Sequence, residues 1–186
     1  MLELVFVIIV IGILAAILIP RMDRDTLYEA AEQLVRDIRY TQHMAMTDNV
    51  YDDQDQFWFN HRWKIDFTVP NVYVVSKSTN NSIDTRSVIA VNPGDNAPMD
   101  GTVNDNYDLM WKYNIQIVLG GANNILAFDH MGRPYVSVAG AGVVVNPTQT
   151  LLDTPYIINL VDAANNALTA IVTVAPETGH ATITYP

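Results

Sequence analysis

The N-terminal part of the chain is a continuous run of apolar residues. Between Leu4 and Pro20 the sequence carries no charged or strongly polar side chain. A helix over this run is roughly 26 Å long, close to the thickness of a bilayer's hydrocarbon core, so the run predicts a membrane-spanning helix. Glu3 is the exception, because a carboxylate on the first turn costs about 2 to 3 kcal/mol or more unless it is paired or lies near the interface.

The pattern becomes amphipathic after Pro20. Charged residues occupy much of each turn, while small and apolar residues recur at spacings of three and four, the period of one helix face. The members of this face are Leu27, Ala31, Leu34, Ile38, Thr41 and Ala45, and the charged residues around it are Glu29, Glu32, Arg36, Asp37 and Arg39. The pattern predicts a helix to about Thr47 with one buried face. Because proline removes a backbone donor and crowds the preceding turn, Pro20 would either kink one long helix or separate two helices, and we predict one continuous helix with a kink.

Beyond residue 47 the hydrophobic period changes to that of strands. Residues 48–56 are acidic and predict a loop, whereas residues 57–67 alternate between aromatic or apolar and polar side chains, which predicts a strand with one aromatic face. Further strands are predicted at 72–76, 87–91, 111–119, 125–129, 135–138, 156–161, 170–174 and 181–185, with turn-rich segments between them.

These elements predict an α+β fold. A long N-terminal helix is expected, with an amphipathic half packed on an antiparallel β-sheet head and an apolar half protruding. The predicted divisions are residues 1–20 for the apolar helix, 21–47 for its amphipathic continuation and 48–186 for the β-rich head.

Composition and charge restrict the classes of function. The 186 residues are 49% hydrophobic and carry a formal charge of -10, so the overall field of the protein would repel a nucleic acid, and no nucleic-acid partner is expected. The absence of cysteine excludes disulfides, thiolate metal sites and a cysteine nucleophile. No basic segment precedes the apolar run and no small-residue cleavage pattern follows it, so we do not expect a cleavable secretory signal.

The apolar segment resembles a known family. Residues 2–21 place an acid, a glycine and a proline, namely Glu3, Gly12 and Pro20, at fixed positions of one apolar helix. In this the segment is similar to the N-terminus of type IV pilins and type II secretion pseudopilins. The resemblance implies a filament subunit with a long helix and a β-rich head, which is held in the inner membrane and then packs helix to helix in a filament core.

Parts of the head resemble the H-type minor pseudopilins and related minor pilins. The segments that carry this resemblance are 30–42, the strand that contains Trp63, 125–134 and 174–179. Residues 68–120 have no counterpart in it.

The family also implies roles for individual residues. Glu3 would pair with the N-terminal amine of a neighbouring subunit during assembly, Gly12 would allow close helix packing, and Pro20 would be a site of kinking or local melting. In the family the acid is the fifth mature residue and follows an N-methylated residue and a basic leader that ends in glycine. Because the acid is third here, we expect a leader and two mature residues upstream, with processing by a prepilin peptidase and delivery to an assembly platform.

Each of these three residues also has a plainer explanation. Glu3 would be an unpaired acid at the membrane surface, since residues two apart on a helix point to different faces and its own amine is out of reach. Gly12 and Pro20 would be ordinary features of a membrane helix.

No catalytic arrangement is evident, and the chain is predicted not to be an enzyme. The histidines, His43, His61, His130 and His180, lack metal-ligand spacing and are expected to be structural or solvated. Asp129 and Arg133 flank a turn at Gly132 and predict a local ion pair or turn hydrogen bonds.

Calcium is the one candidate cofactor. Its candidate ligands are the oxygen-bearing residues Asp95, Asp100, Asn104, Asp105, Asn106 and Asp108. They lack the ordered spacing of a calcium loop, which favours a solvated acidic loop instead.

The sequence thus predicts a structural subunit of a type IV pilus-like or type II secretion pseudopilus filament, with copies of itself as its main partner. It would lie in the inner membrane before assembly and then in an extracellular pilus or a periplasmic pseudopilus. Two alternatives stay open: a minor pseudopilin at the tip or at initiation, and a membrane-anchored periplasmic binding domain that does not polymerise.

Overall fold

The structure, a computed structural model, describes the backbone of residues 2–55, 57–67, 69–79, 86, 88–137 and 151–186. Side chains are described for these residues except 2, 15–25, 59 and 60. Helix α1 is Leu2–Thr47, and its side chains are described in two stretches, 3–14 and 26–47. The predicted kink at Pro20 lies outside the described side chains.

The elements that follow α1 are mostly short strands. A 3₁₀ helix, Trp58–His61, precedes β1 Trp63–Asp66, β2 Val74–Lys77 and β3 Val88–Ile89. A second 3₁₀ helix, Asp105–Tyr107, leads into α2 Leu109–Tyr113 and β4 Ile115–Leu119. The last five strands are β5 Ile125–Phe128, β6 Pro134–Ser137, β7 Tyr156–Asp162, β8 Thr169–Val174 and β9 Ala181–Thr184.

The described strands form two antiparallel sheets. The first has the order β3-β2-β1-β5-β6, and the second has the order β4-β7-β8-β9. Ile65 pairs with Val75 in the first sheet, and Ile158 pairs with Val172 in the second. The mixture of helix and antiparallel sheet confirms the predicted α+β class.

The 26–47 part of α1 packs on both sheets. It contacts β1 and β5 of the first sheet and β7, β8 and β9 of the second. All six residues of the predicted face are buried, which confirms the amphipathic pattern and the helix end at Thr47. Arg39 Nη2 also donates to Ala181 O at 2.8 Å, so the helix is tied to the last strand.

Two predicted strands are partly wrong. Residues 58–61 are a 3₁₀ helix, which Asp55 helps to start by accepting the Phe57 N–H at 2.8 Å. Residues 109–113 are α2, because Asp108 caps its N-terminus and Asn114 ends it in the left-handed conformation with φ 59°.

Strands β1 and β5 of the first sheet are buried on both faces, which the alternation of residues 57–67 does not predict. Trp63 and Ile65 belong to the core beneath α1. On the opposite face Lys64 pairs with Ala127, which pairs with Tyr135, and all three are buried. The polar face of β1 is therefore interior, although the sequence pattern is that of a half-exposed strand.

Candidate functional site

The first candidate site is the apolar stretch 3–14 of α1. Every residue in it is exposed, and its large apolar side chains are between 39% and 67% exposed. Glu3 is exposed in the first turn. Soluble proteins rarely leave so large a continuous apolar surface uncovered, which makes this stretch the first candidate for a contact surface.

The structure does not describe the side chains of residues 15–20, which are part of the predicted membrane span. Within the described residues, no helix is long and apolar enough to cross a membrane.

Gly12 lies on this exposed surface. A Cβ built at Gly12 would meet no described atom within 4 Å. None of the described residues therefore packs closely against Gly12. Pro20 lies outside the described side chains.

A second feature is the contact between α1 and two hairpin turns, which we call the turn junction. Gln42 Nε2 donates to Gly132 O in the β5–β6 turn and to Thr178 O in the β8–β9 turn, each at 2.8 Å. One side chain of α1 thus holds a turn from each sheet. Three head segments meet at this point, namely 30–42, 125–134 and 174–179. They are segments whose sequences resemble those of H-type minor pseudopilins.

Glycine is required at the turn junction for two reasons. Gly132 and Gly179 both have positive φ, +79° and +66°. A Cβ on Gly179 would also lie only 2.6 Å from Gly132 O and 2.7 Å from Gln42 Nε2. The close approach of the two turns therefore depends on the missing side chain.

The β5–β6 turn confirms the predicted local contacts of Asp129. The Arg133 Nε lies 2.8 Å from Asp129 Oδ2, and the backbone N–H groups of Met131 and Arg133 donate to Asp129 Oδ1 at 2.9 Å. Burial opposes ionisation, but these hydrogen bonds outweigh it and hold the pKa of Asp129 below its usual range.

A third feature is a buried polar network that the sequence pattern placed wrongly. Asp37, predicted among the charged residues around the apolar face, is only 4% exposed. It accepts a hydrogen bond from Tyr73 Oη at 2.6 Å, and Gln33 Nε2 donates to the same Tyr73 oxygen at 2.7 Å. Gln33 and Asp37 are four residues apart and lead to Thr41 of the predicted face, so that the three form a buried polar row. The spacing of four, which places these polar residues on one side of the helix, is the signal in the sequence that could have indicated their burial.

Gln33 extends this network to α2. Lys112 Nζ and Tyr113 Oη both donate to Gln33 Oε1, at 2.8 and 2.9 Å. Gln33 Nε2 also donates to Asn106 O at 2.7 Å. The network therefore fixes the position of α2 and the preceding 3₁₀ helix on α1, which is a structural role.

Asp37 predicts a pH-dependent stability. Burial raises the pKa of Asp37 despite the Tyr73 hydrogen bond and the nearby Arg36. Because the folded state then binds the proton more tightly than the unfolded state, stability falls as pH rises from the ordinary value of 3.8 through the folded pKa. Asp37→Asn keeps an acceptor for Tyr73 without the charge, so we expect it to be more stable than wild type at pH 7, on the order of 1 kcal/mol, and equal below pH 4.

The measurement is thermal unfolding of the full chain in mild detergent at both pH values. Asp53→Asn, which neutralises an exposed carboxylate, is the matched control and should change stability by less than about 0.5 kcal/mol. An Asp37→Asn variant that is less stable than wild type at pH 7 would show that the charged form stabilises the fold.

The calcium candidates are used in local turns and caps. Asp95 Oδ1 accepts the Ala97 N–H, Asp100 Oδ1 accepts from Thr102 and Asn104 Oδ1 accepts the Asn106 N–H. Asp108 Oδ1 accepts the N–H groups of Met110 and Trp111 as the cap of α2. Asp105 and Asn106 are exposed. Among the described residues, no group of three or more His, Asp or Glu side chains could hold a metal ion. The preference for a solvated acidic loop over a calcium site stays a prediction.

The sequence pattern also missed Arg62. The alternation of residues 57–67 places it on the polar face of a strand, but its side chain is only 3% exposed. Its guanidinium lies over the Tyr135 ring, with Cζ 3.9 Å from the ring centroid. No local signal predicts this, because Tyr135 comes from a strand 73 positions later.

Comparison of the chain with protein-family models, with curated proteins and with solved structures gave no match.

Proposed function

We propose that this chain is a structural subunit of a helical filament of the type IV pilus or type II secretion pseudopilus kind. The observation that carries the proposal is the exposed apolar stretch 3–14, which a folded head leaves uncovered. Such a surface gains free energy when lipid or further copies of the same helix cover it. The resemblance of residues 2–21 to pilin N-termini supports lipid as the first covering and other subunits as the later one.

The arrangement of the head supports the same proposal. One face of residues 26–47 of α1 is buried against the two sheets, whereas all of residues 3–14 are exposed. In the proposed subunit these two stretches belong to one long helix, with its apolar half in the filament core and the acidic head outward. Subunits would lie in the inner membrane before assembly and in an extracellular pilus or periplasmic pseudopilus afterwards.

Glu3 is the residue proposed to direct assembly. A carboxylate in an apolar helical core is costly unless it meets a positive group, and the N-terminal amine of a neighbouring subunit is such a group. The pairing would fix the axial register between adjacent helices, since each acid has one amine to satisfy.

A Glu3→Gln variant tests this proposal. We expect the cells that make the protein to carry filaments with the wild-type chain and to lose them with Glu3→Gln, because an amine without its acid is left in an apolar core. Negative-stain imaging counts the filaments, and immunoblotting of the membrane fraction controls for subunit amount. Glu29→Gln removes an exposed acid from the head-packed part of the same helix and should leave filament numbers unchanged.

Two outcomes would contradict parts of the proposal. Normal filaments with Glu3→Gln would remove the assembly role of Glu3. Absence of filaments with the wild-type chain, together with stable membrane association, would favour an anchored binding domain.

A minor subunit at the tip or at initiation is the second candidate. It is favoured by the turn junction, where the three head segments similar to H-type minor pseudopilins converge on Gln42. Immunogold labelling decides between the two, because a filament-building subunit labels the whole length and a minor subunit labels only an end.

A further inference from the structure

The far face of the first sheet, opposite α1, contains a pocket of about 340 Å³. It lies beside the β5–β6 turn and next to the 3₁₀ helix that precedes β1. It is lined by Trp58, Arg62, Asp129, His130, Arg133, Tyr135 and Leu151.

Among the residues that line this pocket, Arg62 is unusual because it is buried with unpaired N–H groups. Its side chain is buried, yet among the described residues no acceptor lies within hydrogen-bond distance of its Nε or Nη1. A buried guanidinium with unpaired N–H groups costs free energy that a partner would recover. Its guanidinium is stacked on Tyr135, and Arg62 also lines the pocket, so an acceptor of a bound ligand would supply the partner that these N–H groups lack.

The nearby acid does not fill this role. Asp129 is occupied by the Arg133 guanidinium at 2.8 Å, by the two turn N–H groups and by Tyr135 Oη at 3.4 Å. The two guanidinium groups of Arg62 and Arg133 and the one carboxylate of Asp129 leave one positive charge in excess among the Arg and Asp side chains of the pocket. A ligand with a single negative charge would balance it.

Apart from His130, the rest of the pocket lining is apolar or aromatic. Trp58 presents a large ring, and Leu151 packs with Tyr135 and Ala127 in a small cluster separate from the main core. An anion with an apolar body would therefore contact both parts of the pocket, whereas a fully hydrated anion would contact only one.

We infer that this pocket binds a monocarboxylate with an apolar body, with the carboxylate on Arg62 and the body against Trp58 and Leu151. Guanidinium groups bind carboxylates through charge-assisted hydrogen bonds, and the apolar wall selects for the attached group. The site is independent of the proposed assembly role, since it involves neither Glu3 nor the 3–14 surface.

The test is calorimetric titration of the full chain in mild detergent with matched probes. We expect 3-phenylpropionate to bind at least tenfold more tightly than the neutral 3-phenylpropionamide, which has the same shape without the charge. Equal affinities would overturn the inference, because they would indicate apolar partitioning alone. Tighter binding of inorganic phosphate than of 3-phenylpropionate would overturn the monocarboxylate assignment.

Two variants locate the binding. Arg62→Gln should weaken 3-phenylpropionate at least tenfold, and Leu151→Ala should weaken 3-phenylpropionate while leaving acetate unchanged. Unchanged 3-phenylpropionate affinity in a folded Arg62→Gln protein would overturn the inference. If Arg62→Gln fails to fold, the comparison of acid and amide on the wild-type chain still decides it.

The same carboxylate chemistry has two sources, a free organic acid and the C-terminus of a peptide. N-acetylphenylalanine differs from 3-phenylpropionate by a peptide-like amide. Tighter binding of N-acetylphenylalanine would assign the site to a peptide carboxylate, and weaker or equal binding would assign it to a free organic acid.

Discussion

A Gly179→Ala variant is expected to lose about 3 to 5 kcal/mol of the free energy of unfolding, the sum of a steric and a conformational cost. The added methyl would lie 2.6 Å from Gly132 O and 2.7 Å from Gln42 Nε2, distances that non-bonded carbon atoms do not tolerate. Alanine would also have to adopt a φ of +66°. Relief of the clash requires the two turns to separate, which breaks the Gln42 hydrogen bonds.

The measurement is thermal unfolding of the full chain in mild detergent. For a chain of this size the loss corresponds to a fall in Tm of about 6 to 20 °C. Gly121→Ala is the matched control, because a Cβ there would meet no described atom within 4 Å, and its expected change is within about 0.5 kcal/mol. Equal Tm values for the two variants would show that the turns have room for a methyl group.

A Leu34→Ala variant is expected to cost about 2 to 5 kcal/mol, the range for deleting a fully buried leucine. Leu34 is 0% exposed in the core cluster between α1 and the sheets. Since the helix contacts both sheets, a cavity at this position weakens the packing of each against α1. The surrounding side chains can recover part of the loss by relaxation, which accounts for the range.

Denaturant unfolding measured by circular dichroism checks this value. Glu29→Ala is the control on the same helix, because Glu29 is exposed and alanine is the better helix former. A Leu34→Ala protein within 1 kcal/mol of wild type would contradict the interpretation that this part of α1 is the centre of the head.

The helix face was predictable because the residues that follow the helical period are also the residues that pack against the sheets. Leu27, Leu34 and Ile38 follow the helical period, and each lies against the sheets. Gln33 and Asp37, which precede Thr41 in the buried polar row, are polar residues, so their sequence pattern does not distinguish them from the exposed residues of the helix. Asp37 is buried only because Tyr73, from another part of the chain, supplies a donor.

The errors at the strands have a different cause. The pattern of residues 109–113 fits a strand as well as a short helix. They form a helix because Asp108 caps its N-terminus and Asn114 ends it. These are the residue types that start and stop helices, so the signal was present in the sequence. For Arg62 no such signal exists, because its burial depends on the cover of a sheet face rather than on its neighbours in the chain.

The turn junction also determines when the head can close during synthesis. Gln42 is joined to Gly132 and Thr178, 90 and 136 positions later, and Arg39 is joined to Ala181, 142 positions later. Because the chain is made from its N-terminus, the apolar face of α1 emerges early, whereas β8 and β9, which cover part of it, emerge last. Contacts of such long sequence separation slow folding. The nascent helix must therefore be kept from premature association until β9 has left the ribosome.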